Sequence, residues 1–366
     1  MKNLIKTLVI ILLLLSSCSI NNEKIIVGSC LPLSGADASY GINAKRGMDL
    51  ALEIINEQGG VNGKKLEVLY EDDSGIPKNG TSIMTKFATD ERIQVVIGAV
   101  HSTVTLAMAS VANKYKKLLI SPISSSALLT QEGGDYFFRI APSDAFQARI
   151  LASWISKMQY WEVGLVYVNN IWGKSLADEF SEYFKREGGK VVSLETSKVG
   201  DTDFRLILSK VVKQKPKALV FLTQAKEGGI LVKQVKELGI KIPIFGGDTW
   251  SSVEFLTSTG KSSDSVRIVM PGNYEGDEYK VFAAKFQKKF GEKPDINAAY
   301  SFDAVNIISK AIEKVGYNSD AIKNYLYKMD VYHGASGLTK FNERGDCTTK
   351  SFQRILFEDG NKLVVN

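Results

Sequence analysis

Histidine and cysteine are scarce in this 366-residue chain, which has two histidines, His101 and His333, and three cysteines, Cys18, Cys30 and Cys347. Two histidines exclude a histidine-rich metal site, and neither Cys-x-x-Cys nor His-Glu-x-x-His occurs. The Gly-x-Ser-x-Gly elbow of serine hydrolases is also missing. Trp172-Gly173-Lys174-Ser175 resembles the tail of a phosphate-binding loop, but that motif needs glycine where Val168 stands. Nothing in the sequence asks for catalysis, a metal or a cofactor. The net charge of +6 is small and its basic residues are scattered, so nucleic acid is not indicated. No apolar run reaches the roughly 20 residues of a membrane-spanning helix.

One short apolar run is present, at the start. Lys2 and Lys6 form a basic region, and Thr7 to Leu15 is apolar apart from its threonine. That length and those flanks fit a signal peptide, expected over residues 1–17. Leu15-Ser16-Ser17-Cys18 resembles a bacterial lipoprotein processing box, which implies cleavage before Cys18, lipidation of Cys18 and a tether over residues 18–23. The alternative is an ordinary signal peptide in which Cys18 is incidental. The lipid-anchored form would sit outside the cytoplasm, held on a bacterial membrane without crossing it. Cys30 and Cys347 would then remain, either paired in an oxidising compartment or as two separate thiols.

The remaining length exceeds a single usual core, so two domains are expected. Short apolar strands alternate with amphipathic helices. Ile42, Met48, Ala51, Leu52 and Ile55 recur at helical spacing after a strand over residues 24–31, and Gly59-Gly60 stops that helix. The alternation restarts after Ala141-Pro142 and runs to about residue 245, and a mixed segment follows from about Gly272. Repeated strand–helix units predict an α/β protein of parallel, doubly wound sheets with helices on both faces. Such sheets bind ligands beyond the carboxyl ends of their strands, so the loops after strands are where function is sought.

Several of those loops carry a resemblance. Pro32-Leu33-Ser34-Gly35 and Tyr40-Gly41 lie after the first strand, and Gly47-Met48 with Gly59-Gly60-Val61-Asn62-Gly63 follow in the first helix and turn. Asp72-Asp73 follows the second strand, Gly98 and Ser102 the third, and Ile120-Ser121-Pro122 with Ser124-Ser125 closes the fourth. Together with Phe138-Arg139 and Pro142-Ser143-Asp144, this ordered set resembles the type I periplasmic binding proteins, in their leucine/isoleucine/valine-binding branch. The resemblance implies two lobes joined by three crossings near Ala141, Pro271 and Leu338 to Gly345, closing on a ligand by a hinge motion. Lobe one would hold residues 24–141 and 272–340, and lobe two residues 142–271 and 341–366. It also implies a solute-binding component of an ABC importer with a permease as partner. A sensing module for a separate receptor, or a binder of an amide, urea or aromatic acid, is the alternative.

An amino acid is a zwitterion, and burying it demands donors for its carboxylate and a negative partner for its ammonium. Ser102 stands where a helix begins, and such a start offers free N–H groups to an anion. The resemblance aligns Ser102 and the segment Ile123, Ser124 and Ser125 with ligand contacts from lobe one. Phe245-Gly246-Gly247-Asp248 puts a carboxylate just past a short strand of lobe two, where the family's amino-acid binders pair an acidic residue with the ligand's ammonium. Asp248 also suits a helix N-cap. Trp172 stands where the family commonly has tyrosine against the ligand. Gln224, Tyr40 and Trp250 are further candidates for lining the cleft, and His101, beside Ser102, is either cleft-facing or a buried residue of the helix start.

Overall fold

The computed structural model describes residues 24–272 and 276–365. The expected signal peptide, Cys18 and the tether lie outside the described residues. The first lobe begins with β1 (Lys24–Leu31), α1 (Ala38–Glu57), β2 (Lys65–Asp72), α2 (Pro77–Thr89), β3 (Val95–Gly98), α3 (Ser102–Tyr115), β4 (Leu118–Ser121), α4 (Leu128–Glu132) and β5 (Phe137–Arg139). Its five strands are all parallel, in the order β2-β1-β3-β4-β5. Strand alternation sends Ile25 and Val27 to one face and Cys30 to the other, and each face packs into its own apolar cluster.

The second lobe follows with α5 (Asp144–Lys157), β6 (Glu162–Val168), α6 (Ile171–Arg186), β7 (Lys190–Ser197), α7 (Arg205–Lys213), β8 (Ala218–Leu222), α8 (Ala225–Glu237), β9 (Ile244–Gly246), α9 (Val253–Thr259) and β10 (Arg267–Pro271). The chain then returns to the first lobe as α10 (Asp277–Phe290), α11 (Ile296–Val315), α12 (Ser319–Lys328) and the hairpin of β11 (Tyr332–Gly334) and β12 (Gly337–Thr339). It ends in the second sheet as β13 (Phe352–Glu358) and β14 (Asn361–Val365), giving the order β14-β13-β10-β9-β8-β6-β7. Only β13 is reversed there, pairing antiparallel with both β10 and β14.

α11 closes the first lobe against α1. A Cβ on Gly47 of α1 would stand 2.1 Å from the Ala298 carbonyl oxygen, so only glycine allows this approach. The short β5, the short α4 and the β11–β12 hairpin escape the strand–helix reading because each is too short to show a period, and α12 escapes it although Ile322 and Leu326 are buried at helical spacing.

The third crossing lies later than the sequence suggests. Residues 341–347 pack with the first lobe rather than the second: Phe341 belongs to its core, the Arg139 N–H donates to the Gly345 carbonyl at 3.0 Å, and the fully buried Arg139 guanidinium pairs with Asp346 at 2.6 Å. Lys350 then donates to the Ser336 carbonyl at 2.8 Å and to Thr339 Oγ1 at 3.1 Å. The Gly272 N–H donates to the Ser351 carbonyl at 2.8 Å, so the second and third crossings run side by side. Crossing near Leu338 to Gly345 would have left Arg139 buried without its carboxylate, a costly state. Cys30 and Cys347 are both buried and unpaired.

Candidate functional site

A cavity of about 310 Å³ lies between the lobes, at the carboxyl ends of the strands. From the first lobe it is lined by Tyr40 of α1, Val100, His101, Ser102 and Thr103 at the start of α3, and Ile123 and Ser125 after β4. From the second come Asn170 and Trp172 at the start of α6, Gln224 before α8, and Asp248 and Thr249 after β9. Met270 and Pro271 form the crossing floor, and Asp295, Ile296 and Asn297 open α11 at the far side. Residues distant in sequence meet here because most of them follow strands of the two parallel sheets, which present these ends to one another, while Asp295 to Asn297 come in at the start of α11.

Ser102 opens α3. No side chain caps that helix, and the Ser102 hydroxyl accepts from the Ser126 N–H at 3.2 Å. The first-turn N–H groups beside it therefore suit an anion. Ser124 does not line the cavity. Its hydroxyl points inward to Thr105 Oγ1 at 2.6 Å and to the Val100 carbonyl at 2.9 Å, tying β4's loop to α3. Its neighbour Ser125 lines the cavity and donates to Asp144 Oδ2 at 3.1 Å.

Asp248 and Asp144 form the acidic pole. Asp144 opens α5, is 1 % exposed, and its N–H donates to the Ser125 carbonyl at 2.8 Å. Its carboxyl is pushed well up, first by burial and then by the Asp248 charge, against the pull of Arg139. Asp248 is also raised by burial, while the Gln147 carboxamide and the Thr249 N–H, donating at 2.9 Å, oppose that shift. The Asp248 carboxylate, placed at the cavity in a water-poor setting, suits a cation. Asp248 does not cap the next α-helix. It starts a 3₁₀ turn over Asp248–Ser251, and Ser252 caps α9.

Trp172 sits in the first turn of α6, where Asn170 caps the Gly173 N–H at 2.8 Å. A Cβ on Gly173 would meet the Val168 carbonyl at 2.1 Å, so this glycine lets the helix start tight against its strand and fixes where the indole goes. Trp250 does not line the cavity: it is fully buried and stacked on Phe255 at 4.8 Å. His101 is cleft-facing, with Nε2 3.4 Å from Asp37 Oδ2, and burial lowers its pKa. The Tyr40 hydroxyl is buried beside the Ala225 N–H without completing a hydrogen bond.

Sequence reasoning passed over Asn170, Thr249, Met270 and Asn297 as lining residues. Asp144 was read only as part of a crossover motif. One signal was available: Asn170 and Asp295 are N-caps after a strand or a proline, and helix starts at strand ends are where these sheets bind. Among the described residues no group of three or more histidine, cysteine or acidic side chains is placed to hold a metal, and no helix is long and apolar enough to cross a membrane.

Residues 24–352 match the family described as periplasmic binding protein. The chain belongs to the periplasmic binding protein family. The resemblance read from the sequence is thereby borne out, and with it the reading as a solute-binding protein rather than an enzyme. This periplasmic binding protein is 27% identical to a Leu/Ile/Val-binding protein homolog of Brucella melitensis, over 93% of each chain. The branched-chain amino acid transporter substrate binding protein LivJ of Streptococcus pneumoniae, solved with isoleucine, is 29% identical, with a TM-score of 0.84 over 94% of this chain and 99% of that one. That likeness bears out the two-sheet α/β fold. An R. palustris solute binding protein solved with benzoate shares the fold, at 21% identity and a TM-score of 0.84 over 94% of this chain and 96% of that one.

Proposed function

We propose that this protein captures an α-amino acid, of the branched-chain type, for an ABC importer, closing its lobes on the ligand while anchored through a lipid on Cys18. The observation that carries the reading is the opposition of charge across the cleft. Asp248 supplies negative charge from the second lobe, and Ser102 and the uncapped start of α3 supply donors from the first. A zwitterion satisfies both poles at once and favours the closed arrangement by bridging them. Val100, Ile123, Trp172 and Met270 add apolar wall suited to a branched side chain, in keeping with the isoleucine held by the S. pneumoniae relative.

Trp172 favours one other reading, a flat aromatic acid such as the benzoate of the R. palustris neighbour. Such an anion lacks an ammonium and would leave Asp248 uncompensated.

The test is calorimetry on protein starting after Cys18, refolded from denaturant to strip carried ligand. The twenty common L-amino acids, benzoate and short amides are titrated in turn. Saturable binding of an L-amino acid, lost with its decarboxylated amine and with its deaminated acid, supports the proposal. Binding of benzoate alone overturns it. The anchor is tested separately: Cys18→Ser should abolish membrane retention and lipid labelling.

A further inference from the structure

Four acidic side chains from both lobes meet beside the ligand cavity. Asp37, just before α1, comes from the first lobe, and Asp201, Glu227 of α8 and Glu254 of α9 come from the second; together they line a space of about 50 Å³. Lys226 is the one basic residue lining it, and its side chain is exposed. The lobes touch here. The Ser39 hydroxyl donates to Glu254 Oε2 at 3.5 Å, and the Tyr40 hydroxyl lies buried beside the Ala225 N–H. Bringing the lobes together therefore carries Asp37 up to acidic groups of the opposite lobe.

The facing carboxyls are answered within their own lobe. Glu227 accepts from the Gly200 N–H at 2.7 Å, and Asp201 from the Lys198 N–H at 2.7 Å. Asp37 meets His101 Nε2 at 3.4 Å, but burial lowers that imidazole's pKa despite the nearby Asp73, so at neutral pH it brings no positive charge. Among the described residues no group of three or more such side chains is placed to hold a metal. A proton from solvent cancels the Asp37 charge and needs no coordination shell. We infer that closing the lobes takes up a proton at Asp37, so that this residue tightens ligand capture as the surroundings acidify. The inference rests on the closure around an amino acid proposed above and adds its proton linkage. With the lobes in contact, burial and Glu227 push the Asp37 carboxyl up to about 6. With the lobes apart it faces water and returns to about 4. Glu254 is raised by burial and by Asp37 and Glu227, against the pull of Lys226, so a proton on Asp37 relieves it too. Asp248 works in the opposite sense, since an ammonium bound there favours its ionised form, and only a comparison that leaves Asp248 intact isolates Asp37.

Calorimetry with the tightest-binding L-amino acid, repeated in buffers of different ionisation enthalpy, counts the protons taken up on binding. At pH 6 wild type should take up about half a proton more than Asp37→Asn, and at pH 7.5 almost none more. Asp37→Asn should bind more tightly than wild type, by a margin that shrinks about tenfold from pH 7.5 to pH 5. Glu227→Gln keeps an acceptor for the Gly200 N–H and removes the charge facing Asp37, so its uptake at pH 6 should fall below that of wild type. Equal uptake in wild type and Asp37→Asn at pH 6, or a margin that does not change with pH, overturns the inference and leaves the α-amino acid reading in place. Millimolar Ca²⁺ that tightens wild-type binding and abolishes the uptake difference also overturns it, because a metal ion then neutralises the cluster. If Asp37→Asn fails to fold, as its melting without ligand reports, Glu227→Gln decides: uptake equal to wild type overturns the inference. No binding of any amino acid removes the α-amino acid reading and this inference with it.

Discussion

Replacing Asp248 with asparagine keeps shape and hydrogen bonds while deleting one charge of the acidic pole. Removing one partner of a buried ion pair costs about 3–5 kcal/mol where nothing else compensates. Asp144, buried close enough for the Asp248 charge to raise its carboxyl, remains behind and offsets part of that loss. The expected loss is therefore toward the low end, about 3 kcal/mol, or roughly a hundredfold in affinity for the tightest-binding L-amino acid. Calorimetry at pH 7 reads it directly. The pH dependence sharpens the test. Burial raises the Asp248 carboxyl, and a bound ammonium favours its ionised form, so wild-type affinity should be greatest where Asp248 is ionised. It should fall as the pH drops through that raised value, at a pH above the usual carboxylate range. In Asp248→Asn this fall should flatten. Stability without ligand runs the other way. A carboxyl raised on folding binds more protons in the native state, so the empty protein loses stability as the pH rises through the folded value. Asp248→Asn without ligand should thus melt no lower than wild type at pH 7. An unchanged affinity, or an unchanged pH profile, would refute the ammonium role.

Arg139→Met should lower stability by about 3–5 kcal/mol, read as a shift in urea midpoint, because Asp346 loses its buried partner. Asp37, whose carboxyl is raised to about 6 by burial and Glu227, destabilises the empty protein as the pH rises through that value. Asp37→Asn should raise the melting temperature at pH 7.5 by an amount equivalent to about 2 kcal/mol or less, and by only about a third of that at pH 4.5. Burial beside Asp73 pushes the Cys30 thiol far up, and Cys347 is buried too, so neither should react with a maleimide at pH 8 until the chain is unfolded. Gly173→Ala should weaken binding as well as stability, since the added Cβ meets the Val168 carbonyl and must shift the start of α6 that carries Trp172.

Periodicity in the sequence determined the parallel α/β architecture, because strand and helix repeats report directly which faces are buried. The placing of functional residues in loops after strands followed from that architecture, and Ser102, Ile123, Ser125, Trp172, Gln224, Asp248 and Tyr40 all do line one cavity. Only the tertiary structure decided between neighbours. Ser124 and Ser125 are chemically identical and adjacent, yet one turns inward to Thr105 and the other meets Asp144 at the cleft, a choice set by turn geometry rather than by residue type. Trp250 was a further candidate for lining the cleft, and packing between Gly228, Gly246 and Phe255 made it core. The pairing of Asp144 with Asp248, and the late third crossing held by Arg139 and Asp346, join residues from separate elements. Local pattern carries the conformation of each segment, whereas Coulomb and desolvation energies depend on distances that exist only once the lobes are assembled.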